Sequence, residues 1–323
     1  MDTRRVVVVG YDDAELLDIA SVTGTLEGAN RHHADPPYFI EIVSPGGKPI
    51  ACAPHLSLSS HQALERCVGP LDTLIVSGGF GHHRAANDIH IVGHVRRLAH
   101  ESRRVASVCT GASILAAAGL LDGRRVTTHW QFARDLATRY PAVTVDPRPI
   151  YLRDGKVATS AGVTSALDLT LDFVAEDHGA PMARRVARSL VTYLQRPGNQ
   201  AQMSLHVAAP PPTEGLLPDL LDHITTHLNA DLSAGALAAR AGVSERHLAR
   251  LFLSELGQTP GRYVRHVRIE AAAGLLAKTT LPMPRVASRS GFASAETMRQ
   301  AFRAQYGVSP AHYRATQTSA HAM

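Results

Sequence analysis

The chain has 323 residues, enough for two domains of ordinary size. Its composition, 45% hydrophobic and 19% charged, excludes an intrinsically disordered chain. No apolar run approaches the roughly 20 residues that span a bilayer, no signal peptide is evident, and three cysteines are too few for a disulfide framework. These features predict a cytoplasmic protein with no membrane partner.

The formal charge is unevenly distributed along the chain. Residues 216–323 contain 12 Lys and Arg and seven Asp and Glu, so the whole net charge of +5 lies in this last third. Residues 1–215 contain 21 of each sign. A basic segment beside a neutral one is typical of a polyanion-binding module joined to a second domain.

The first 195 residues alternate β-branched runs with amphipathic stretches. Strands are predicted at residues 4–10, 38–43, 73–77, 105–108 and 156–159, and helices at residues 14–26, 89–101, 111–118, 131–140 and 164–178. This alternation predicts an α/β domain of the flavodoxin-like kind, with a mostly parallel sheet and helices on both faces. Ligands of such sheets bind beyond the carboxyl ends of the strands, so a functional site is expected there.

A proline-rich stretch at residues 196–215 ends this pattern. It contains Pro197 and then three consecutive prolines from Pro210 to Pro212. Proline at this density cannot continue a helix or a central strand. The stretch is predicted to be a linker or a strap across the domain surface. An all-α domain at residues 216–316 and a tail at residues 317–323 are predicted to follow it.

The C-terminal region contains an internal repeat with an offset of 50 residues. The repeated positions are Ser244 and Ser294, Gly257 and Gly307, Pro260 and Pro310, and Tyr263 and Tyr313. Each copy has a short helix, a glycine-containing turn and a serine that opens a longer helix, which is the pattern of a helix-turn-helix. The two units are predicted at residues 236–256 and 285–306, with a joining helix at residues 260–278.

The longer helix of each unit has one apolar face and one polar face. Arg, Gln, Thr and Glu side chains can reach base edges or phosphates in a major groove, so double-stranded DNA is the predicted partner. For any single residue, an ordinary solvated helix face is the alternative. The candidate DNA-binding residues are Ser244, Glu245, Arg246, His247 and Arg250 in the first unit, and Ser294, Glu296, Thr297, Arg299, Gln300 and Arg303 in the second.

The end of the second unit carries a specific signature. Gly291, Phe292 and Ser294, followed by Phe302 and by Gly-Val-Ser-Pro-x-x-Tyr-Arg at residues 307–314, resemble the closing signature of AraC/XylS-type DNA-binding domains. The resemblance covers residues 216–316. It implies two helix-turn-helix units whose longer helices enter successive major grooves about one DNA turn (~34 Å) apart.

Cys109 lies between a predicted strand and an alanine-rich helix, in a turn where Gly111 permits close approach. Such a bend is similar to a nucleophile elbow, which exposes its reactive side chain above the sheet and aims it at a helix N-terminus. The helix dipole is expected to stabilise a thiolate and so to lower the pKa of Cys109. An inert buried cysteine is the alternative.

Four further candidates are expected near this turn, besides Thr110, which follows the cysteine. Gly78 and Gly79 follow a strand, and their N–H groups could bind a carboxylate or an oxyanion. Asp18 lies at an apolar helix start, where a buried carboxylate needs a donor such as a nearby thiol. His129 ends a short strand. No metal site is predicted, because the adjacent histidine pairs would point to opposite faces of a strand, and no cofactor is predicted either.

Together these residues resemble the PfpI-like branch of the class I glutamine amidotransferase superfamily over residues 4–190. The resemblance implies that, in members with enzyme activity, the cysteine is the nucleophile, an acidic residue at the Asp18 position bonds it, and glycine amides bind the oxyanion. Protease-like members carry His where Thr110 stands, and many hydrolytic members carry Glu where Asp18 stands. Both departures argue against peptidase or deglycase chemistry.

A PfpI-like domain fused to an AraC-type module resembles the GlxA-type transcriptional regulators. This resemblance implies that the α/β domain senses a small metabolite, such as an amino acid or a quaternary amine, and forms a homodimer. The helical domain would bind DNA and could contact RNA polymerase. The alternative is a cysteine-dependent enzyme of isonitrile-hydratase or amidase type that uses Cys109 and regulates its own gene. A sensor in which the Cys109 thiol is oxidised is a variant of the regulator.

Overall fold

The computed structural model describes residues 3–53, 56–192, 196, 198, 200, 202 and 216–318. The chain forms two compact domains, an α/β domain up to Gln202 and a helical domain after it. Each domain has its own apolar cores.

The α/β domain is built on a seven-stranded sheet with the order β11-β12-β8-β7-β1-β3-β6. All neighbouring strands are parallel except the edge pair β11 and β12. The strands of the domain are β1 (Arg4–Val9), β2 (Ala14–Glu15), β3 (Tyr38–Ser44), β4 (Ile50–Ala53), β5 (Leu56–Leu58), β6 (Gln62–Ala63), β7 (Leu71–Val76), β8 (Ser102–Val108), β9 (Arg125–Val126), β10 (Thr144–Val145), β11 (Tyr151–Asp154) and β12 (Val157–Ser160).

Helices cover both faces of this sheet. They are α1 (Leu16–Arg31), α2 (His82–Asn87), α3 (Ile89–His100), α4 (Ala112–Ala117), α5 (Ala133–Arg139), α6 (Thr164–His178) and α7 (Ala180–Ser189). One apolar core lies under α1, α6 and α7, and the other lies under α3, α4 and α5. The four valines of β1 are completely buried because both faces of the strand are covered. The predicted α/β architecture is confirmed.

The order of the strands creates a switch point beside β1. The chain passes from β1 to β3 on one side and then crosses back to β7 on the other side. At such a point the loops that follow two adjacent strands leave in opposite directions and open a crevice at the carboxyl edge of the sheet.

Several short elements were not anticipated. They include the small sheet β2-β4-β5, strand β10, the edge strand β11, and helices α2 and α7. The short strand expected before His129 is present as β9 but ends at Val126, three residues before the histidine. Strands of two to four residues show too little alternation to be recognised. Helix α1 begins at Leu16 and ends at Arg31, five residues beyond the predicted end.

Described residues of the proline-rich stretch, beyond the predicted boundary at residue 195, are hydrogen-bonded to the α/β domain. The N–H of Arg196 and its Nε donate to the two carboxylate oxygens of Asp168, at 2.7 and 2.9 Å. The carbonyl of Gly198 accepts from the backbone of β11. The side chain of Gln202 donates to Thr127 Oγ1 and to the Thr128 carbonyl. The segment up to Gln202 therefore belongs to the α/β domain, since its polar groups are satisfied there. The rest of the predicted linker, residues 203–215, lies outside the described residues.

The helical domain contains seven described helices. They are α8 (Leu216–Thr226), α9 (Ala234–Ala241), α10 (Glu245–Leu256), α11 (Pro260–Lys278), α12 (Met283–Arg289), α13 (Ala295–Tyr306) and α14 (Pro310–Thr318). Helices α9 and α10 form the first helix-turn-helix, α12 and α13 form the second, and α11 joins them, as predicted. Helix α8 was not predicted as a separate element.

The sequence repeat is also a repeat in three dimensions. The rings of Phe252 and Tyr263 meet edge to face with centroids 5.8 Å apart, and those of Phe302 and Tyr313 do so at 5.2 Å. In both copies the longer helix ends at a glycine with a positive φ, which closes the helix at low steric cost. Each unit therefore packs its longer helix against the following helix in the same way.

Candidate functional site

Cys109 occupies the sharp turn between β8 and α4. Its φ is +53°, a strained value for a residue with a side chain, and a short 3₁₀ turn precedes α4. The Thr128 hydroxyl donates to the carbonyl of Cys109 at 2.8 Å and fixes the turn. The predicted elbow is present, but only 7% of Cys109 is exposed.

Two glycines allow the elbow to pack so closely. A Cβ atom at Gly78 would lie 2.4 Å from the Cβ of Cys109, and one at Gly162 would lie 2.2 Å from it. Real Cβ atoms do not approach this closely, so any larger residue at either position would displace the turn. Gly162 also has a φ of +89°, which favours glycine. Gly162 was missed in the sequence, although it lies only three residues after the end of the strand predicted at residues 156–159.

Asp18, in the first turn of α1, is completely buried beside this turn. Its Oδ1 accepts a hydrogen bond from the backbone N–H of Val163 at 2.5 Å. Its Oδ2 faces Gly78 and makes no hydrogen bond of ordinary geometry to any described residue. Burial raises the pKa of Asp18 to about 7, although the Val163 N–H opposes the rise. The expected proximity of Asp18 and Cys109 is found.

The expected thiolate at Cys109 is wrong. Burial and the negative charge of Asp18 together raise the pKa of the thiol well above its ordinary value. Hydrogen bonds from the backbone and side chain of Thr110 oppose this rise but do not cancel it. Cys109 is therefore a protonated thiol at neutral pH.

In the glycine loop, the N–H and the carbonyl of Gly79 are already hydrogen-bonded. The N–H of Gly79 donates to Thr110 Oγ1 at 2.9 Å, and the Thr110 hydroxyl donates to the Gly79 carbonyl at the same distance. Thr110 is 1% exposed, so this reciprocal pair is closed to solvent. Because its donor is already satisfied, the Gly79 N–H does not have the free oxyanion-binding role that was expected of it.

The contacts of His129 are with its neighbours in the chain. Its Nδ1 accepts a long, 3.4 Å bond from the backbone of Gln131, and its ring contacts Trp130 and Phe132. Within the described ranges, no hydrogen bond or ring contact joins His129 to Cys109. A nucleophilic thiol needs a base within hydrogen-bond reach, and His129 does not supply one here.

A different histidine contacts the helix that follows the elbow. His82 Nδ1 lies 3.1 Å from the hydroxyl oxygen of Ser113, and burial and the neighbouring His83 lower the pKa of His82 to about 4. His82 is therefore neutral at physiological pH. The adjacent histidines had been considered only as a metal pair. The described part of the chain contains no group of three or more side chains arranged to hold a metal ion.

A cavity of about 370 Å³ lies at the carboxyl edge of the sheet, beyond β1, β3 and β7. Its lining includes the cations Lys48 and Arg84 and the carboxylates Asp12 and Asp88. Ile50 and other apolar side chains form part of its wall. Neither Cys109 nor Asp18 lines it. The residues that line the cavity were not predicted from the sequence, because they come from loops that are brought together only by the order of the strands.

Hydrogen bonds hold most of the charged groups of this cavity. Arg84 pairs with Asp13, Asp88 accepts from the N–H groups at the start of α3, and Asp12 accepts a 3.4 Å bond from the Ala51 N–H. Lys48 forms no ion pair or side-chain hydrogen bond with the described residues. Its ammonium group is thus the cation most available to a ligand.

In the helical domain, the candidate DNA-binding residues of the first unit lie on an exposed face. Glu245, Arg246, His247 and Arg250 are all exposed, whereas Leu248 on the opposite face is completely buried. The hydroxyl of Ser244 accepts from the His247 N–H and so caps α10.

The second unit presents a similar face. Its six candidates are Ser294, Glu296, Thr297, Arg299, Gln300 and Arg303, and Ser294 caps α13 by accepting from the Thr297 N–H. Glu296 accepts two hydrogen bonds from Arg299, at 2.6 and 2.8 Å, and one from Gln300 at 2.9 Å. The bonds from Arg299 and Gln300 lower the pKa of Glu296 to about 2. Glu296 therefore holds the side chains of Arg299 and Gln300, two of the candidate DNA-binding residues, in fixed positions.

Comparison with known proteins agrees with both halves of this structure. A family described as DJ-1/PfpI matches residues 4–176, and one described as a helix-turn-helix domain matches residues 237–316. The fold, the elbow and the paired helix-turn-helix units define a transcriptional regulator that joins a PfpI-like domain to an AraC-type DNA-binding domain. The chain belongs to the DJ-1/PfpI family.

Similar proteins include regulators of comparable length. The HTH-type transcriptional regulator CdhR of Pseudomonas aeruginosa is 32% identical, over 93% of this chain and 88% of the relative. The HTH-type transcriptional regulator GlxA of Rhizobium meliloti is 31% identical, over 97% of each. An isonitrile hydratase of Pseudomonas putida is 32% identical over 64% of this chain and 82% of its own.

Among solved structures, a ThiJ/PfpI family protein from Pseudomonas syringae matches with a TM-score of 0.56 and 25% identity, over 68% of this chain and 87% of that one. Among the described helices, none combines the length and the apolarity needed to cross a membrane.

Proposed function

We propose that this chain is an effector-responsive transcriptional regulator of the cytoplasm. In this proposal the α/β domain binds a small metabolite and forms a homodimer, and the helical domain binds an operator and acts on RNA polymerase. The observation that carries the proposal is the contrast between a closed thiol and an open cavity. Cys109 is buried and protonated, whereas the cavity lies at the carboxyl edge where sheets of this kind bind ligands.

The lining of the cavity favours a zwitterion as the effector. Lys48 offers a cation to a carboxylate, and Asp12 retains acceptor capacity for an ammonium group. Ile50 and Ile91 provide apolar contact for a short carbon chain. Amino acids and carboxylated quaternary amines have this combination of groups.

The proposal is tested by thermal shift and calorimetry of the full chain with L-arginine, glycine betaine and, as an anion without a cation, citrate. We expect at least one zwitterion to raise the melting temperature, because a ligand that binds only the folded state stabilises it. Lys48→Ala should abolish the shift. Arg66→Ala removes an exposed cation outside the cavity and should leave it unchanged. Equal shifts in the two variants would contradict the assignment of the cavity.

Dimerisation is proposed through the small sheet β2-β4-β5. Strand β5 is at its edge, and Leu56 on this strand is 52% exposed. An unprotected edge with an exposed apolar side chain is suited to pairing with another chain. Light scattering after size-exclusion chromatography should show a dimer for the parent chain and a monomer for Leu56→Lys. The exposed Val68 lies outside this sheet, so a dimer is expected for Val68→Lys.

The Asp18–Cys109 arrangement and the similarity to an isonitrile hydratase favour a second candidate, a cysteine-dependent enzyme. Cys109→Ser separates the two. The regulator should retain both effector binding and DNA binding after this change. An enzyme would lose a turnover, such as hydration of a simple alkyl isonitrile, that the parent chain performs.

A further inference from the structure

The two helix-turn-helix units have separate apolar cores that share only helix α11. The first core contains buried residues of α8, α9 and α10 and uses Tyr263, Val264 and Val267 of α11. The second contains α12, α13 and α14 and uses α11 from Ile269 onward. Among the described residues, no buried side chain belongs to both cores. The changeover falls at Arg268, between Val267 and Ile269.

Arg268 makes a polar contact at this changeover. Its guanidinium donates to the carbonyl oxygen of Leu228 twice, through Nε at 3.1 Å and Nη2 at 2.9 Å. Nη2 also donates to the carbonyl of Ala230 at 3.3 Å. Both carbonyls lie in the loop between α8 and α9, which belongs to the first core. The guanidinium is half-buried, so its hydrogen bonds are partly shielded from water.

The turn of the second helix-turn-helix meets the same carbonyl. Gly291 has a φ of +79°, and a Cβ atom there would lie 2.0 Å from the oxygen of Leu228 and 2.6 Å from Nε of Arg268. Only glycine allows this approach. The backbone of the first unit, the guanidinium of α11 and the turn of the second unit therefore converge on one oxygen atom.

We propose that Arg268 is a positioning residue that sets the orientation of α13 relative to α10, and with it the spacing between the two half-sites read on DNA. With separate cores, the two units meet at this point through Arg268 of α11 and the close approach of Gly291 to Leu228, and the long helix between them could otherwise bend. Two linked DNA-binding units bind more tightly than one only when the distance between them matches the spacing of their half-sites. In this proposal Arg268 fixes the distance between the two units through its hydrogen bonds to the Leu228 carbonyl and makes no contact with DNA.

The test uses the full chain and an operator obtained from it by selection from random-sequence duplexes. Affinity is measured by fluorescence anisotropy for the selected duplex, for versions with one or two base pairs inserted or deleted between the half-sites, and for each half-site alone. Arg268→Met keeps the aliphatic stem and removes the donors. Arg265→Met removes an exposed cation three residues earlier on α11 and is the matched control.

For Arg268→Met we expect affinity for the selected duplex to fall by about 10- to 100-fold. Affinity for single half-sites should change by less than about twofold, and the penalty for altered spacing should shrink. Arg265→Met should retain the parent's preference for spacing, since loss of a phosphate contact weakens all duplexes alike. Arg268→Lys, which keeps one donor and the charge, should restore part of the preference.

Two results would overturn the proposal. One is a spacing profile for Arg268→Met that is identical to that of the parent. The other is an equal loss of affinity for half-sites and full operator, which would make Arg268 a direct DNA contact or a general stabiliser. Circular dichroism at the assay temperature establishes that the variants are folded, and Arg268→Lys provides the measurement if Arg268→Met is not.

Discussion

Arg104 Nη2 lies 2.6 Å from Asp177 Oδ2, and both side chains are almost completely buried. Asp177 also accepts hydrogen bonds from Arg103, at 2.8 Å, and from the Tyr38 hydroxyl, at 2.9 Å. The Arg104 guanidinium packs over the ring of Phe173, 3.9 Å from its centroid. This cluster joins the end of α6 to the amino ends of the strands, at the opposite edge from the elbow.

Asp177→Ala is expected to destabilise the α/β domain by about 2–3 kcal/mol, because it removes the acceptor of the buried Arg104 Nη2 and of the Tyr38 hydroxyl, while Asp72 and Glu176 remain as counter-charges of Arg104. Trp130 is the single tryptophan of the chain and lies in the α/β domain, so its fluorescence during urea unfolding reports on that domain. Asp154→Ala, which removes a more exposed partner of Arg124, is the control and should cost less than about 1 kcal/mol. Equal losses in the free energy of unfolding for the two variants would show that burial does not increase the contribution of the cluster to stability.

The raised pKa of Asp18 makes the stability of this domain depend on pH. In the unfolded chain the carboxyl ionises near its ordinary pKa of 3.8, whereas in the folded domain it keeps its proton up to about pH 7. The folded state therefore binds more protons between these values, and its free energy of unfolding falls as pH rises through this window. The full fall from this group is about 4 kcal/mol.

Asp18→Asn removes this titration while keeping an acceptor for the Val163 N–H. At pH 8 the variant is expected to be more stable than the parent by about 2–4 kcal/mol, and below about pH 4 the difference should vanish. Urea unfolding followed by Trp130 fluorescence at several pH values measures it. Glu27→Gln, on the exposed side of α1, is the control for the loss of a carboxylate. An unchanged pH profile in Asp18→Asn would mean that the carboxyl is ionised in the folded protein.

The thiol of Cys109 is expected to react slowly. Cys52 and Cys67 are also buried, so the double variant Cys52→Ala/Cys67→Ala isolates Cys109. Its reaction with a disulfide reagent at about pH 7.5 should be about 100-fold slower than that of glutathione, because the thiol is neutral and inaccessible. In denaturant the rates should become similar.

The same double variant tests the redox alternative. Brief treatment with hydrogen peroxide should leave its DNA affinity unchanged, since a protonated thiol is a poor target for oxidation. A fast reaction with peroxide that altered DNA affinity would support a redox sensor and contradict the closed elbow.

Arg250→Ala should lower affinity for the selected operator by about tenfold or more if the side chain reads a base, and should relax the sequence preference at one position. Arg250 is exposed on α10, and its guanidinium forms a 3.0 Å hydrogen bond with the ring of His247. Arg31→Ala removes a similarly exposed arginine from the α/β domain and serves as the control. A uniform weakening on all sequences would identify Arg250 as a phosphate contact instead.

The features that sequence patterns predicted are those that depend on neighbouring residues in the chain. The valines of β1, the capping serines Ser244 and Ser294 and the glycine-containing turns predicted strands, helix starts and the repeat, because each acts on neighbouring residues. The position of Cys109 in an elbow was predictable for the same reason.

The chemistry of the elbow was not predictable from the sequence. The pKa of Cys109 depends on Asp18, Gly78 and Gly162, which come from three separate segments, and the Gly79 N–H is occupied by a hydroxyl 31 residues away. The cavity beyond β1, β3 and β7 likewise depends on the order of the strands. The role of Arg268 was not predictable from the sequence either, because its partner Leu228 is distant along the chain.

The hydrogen bonds of Gln202 connect the end of the α/β domain to the elbow at Cys109. This side chain bonds the carbonyl of Thr128, and the hydroxyl of Thr128 in turn bonds the carbonyl of Cys109. Gln202 is also the last residue of the α/β domain. A displacement of Thr128 at the elbow would therefore break the hydrogen bond that holds the last residue of the α/β domain.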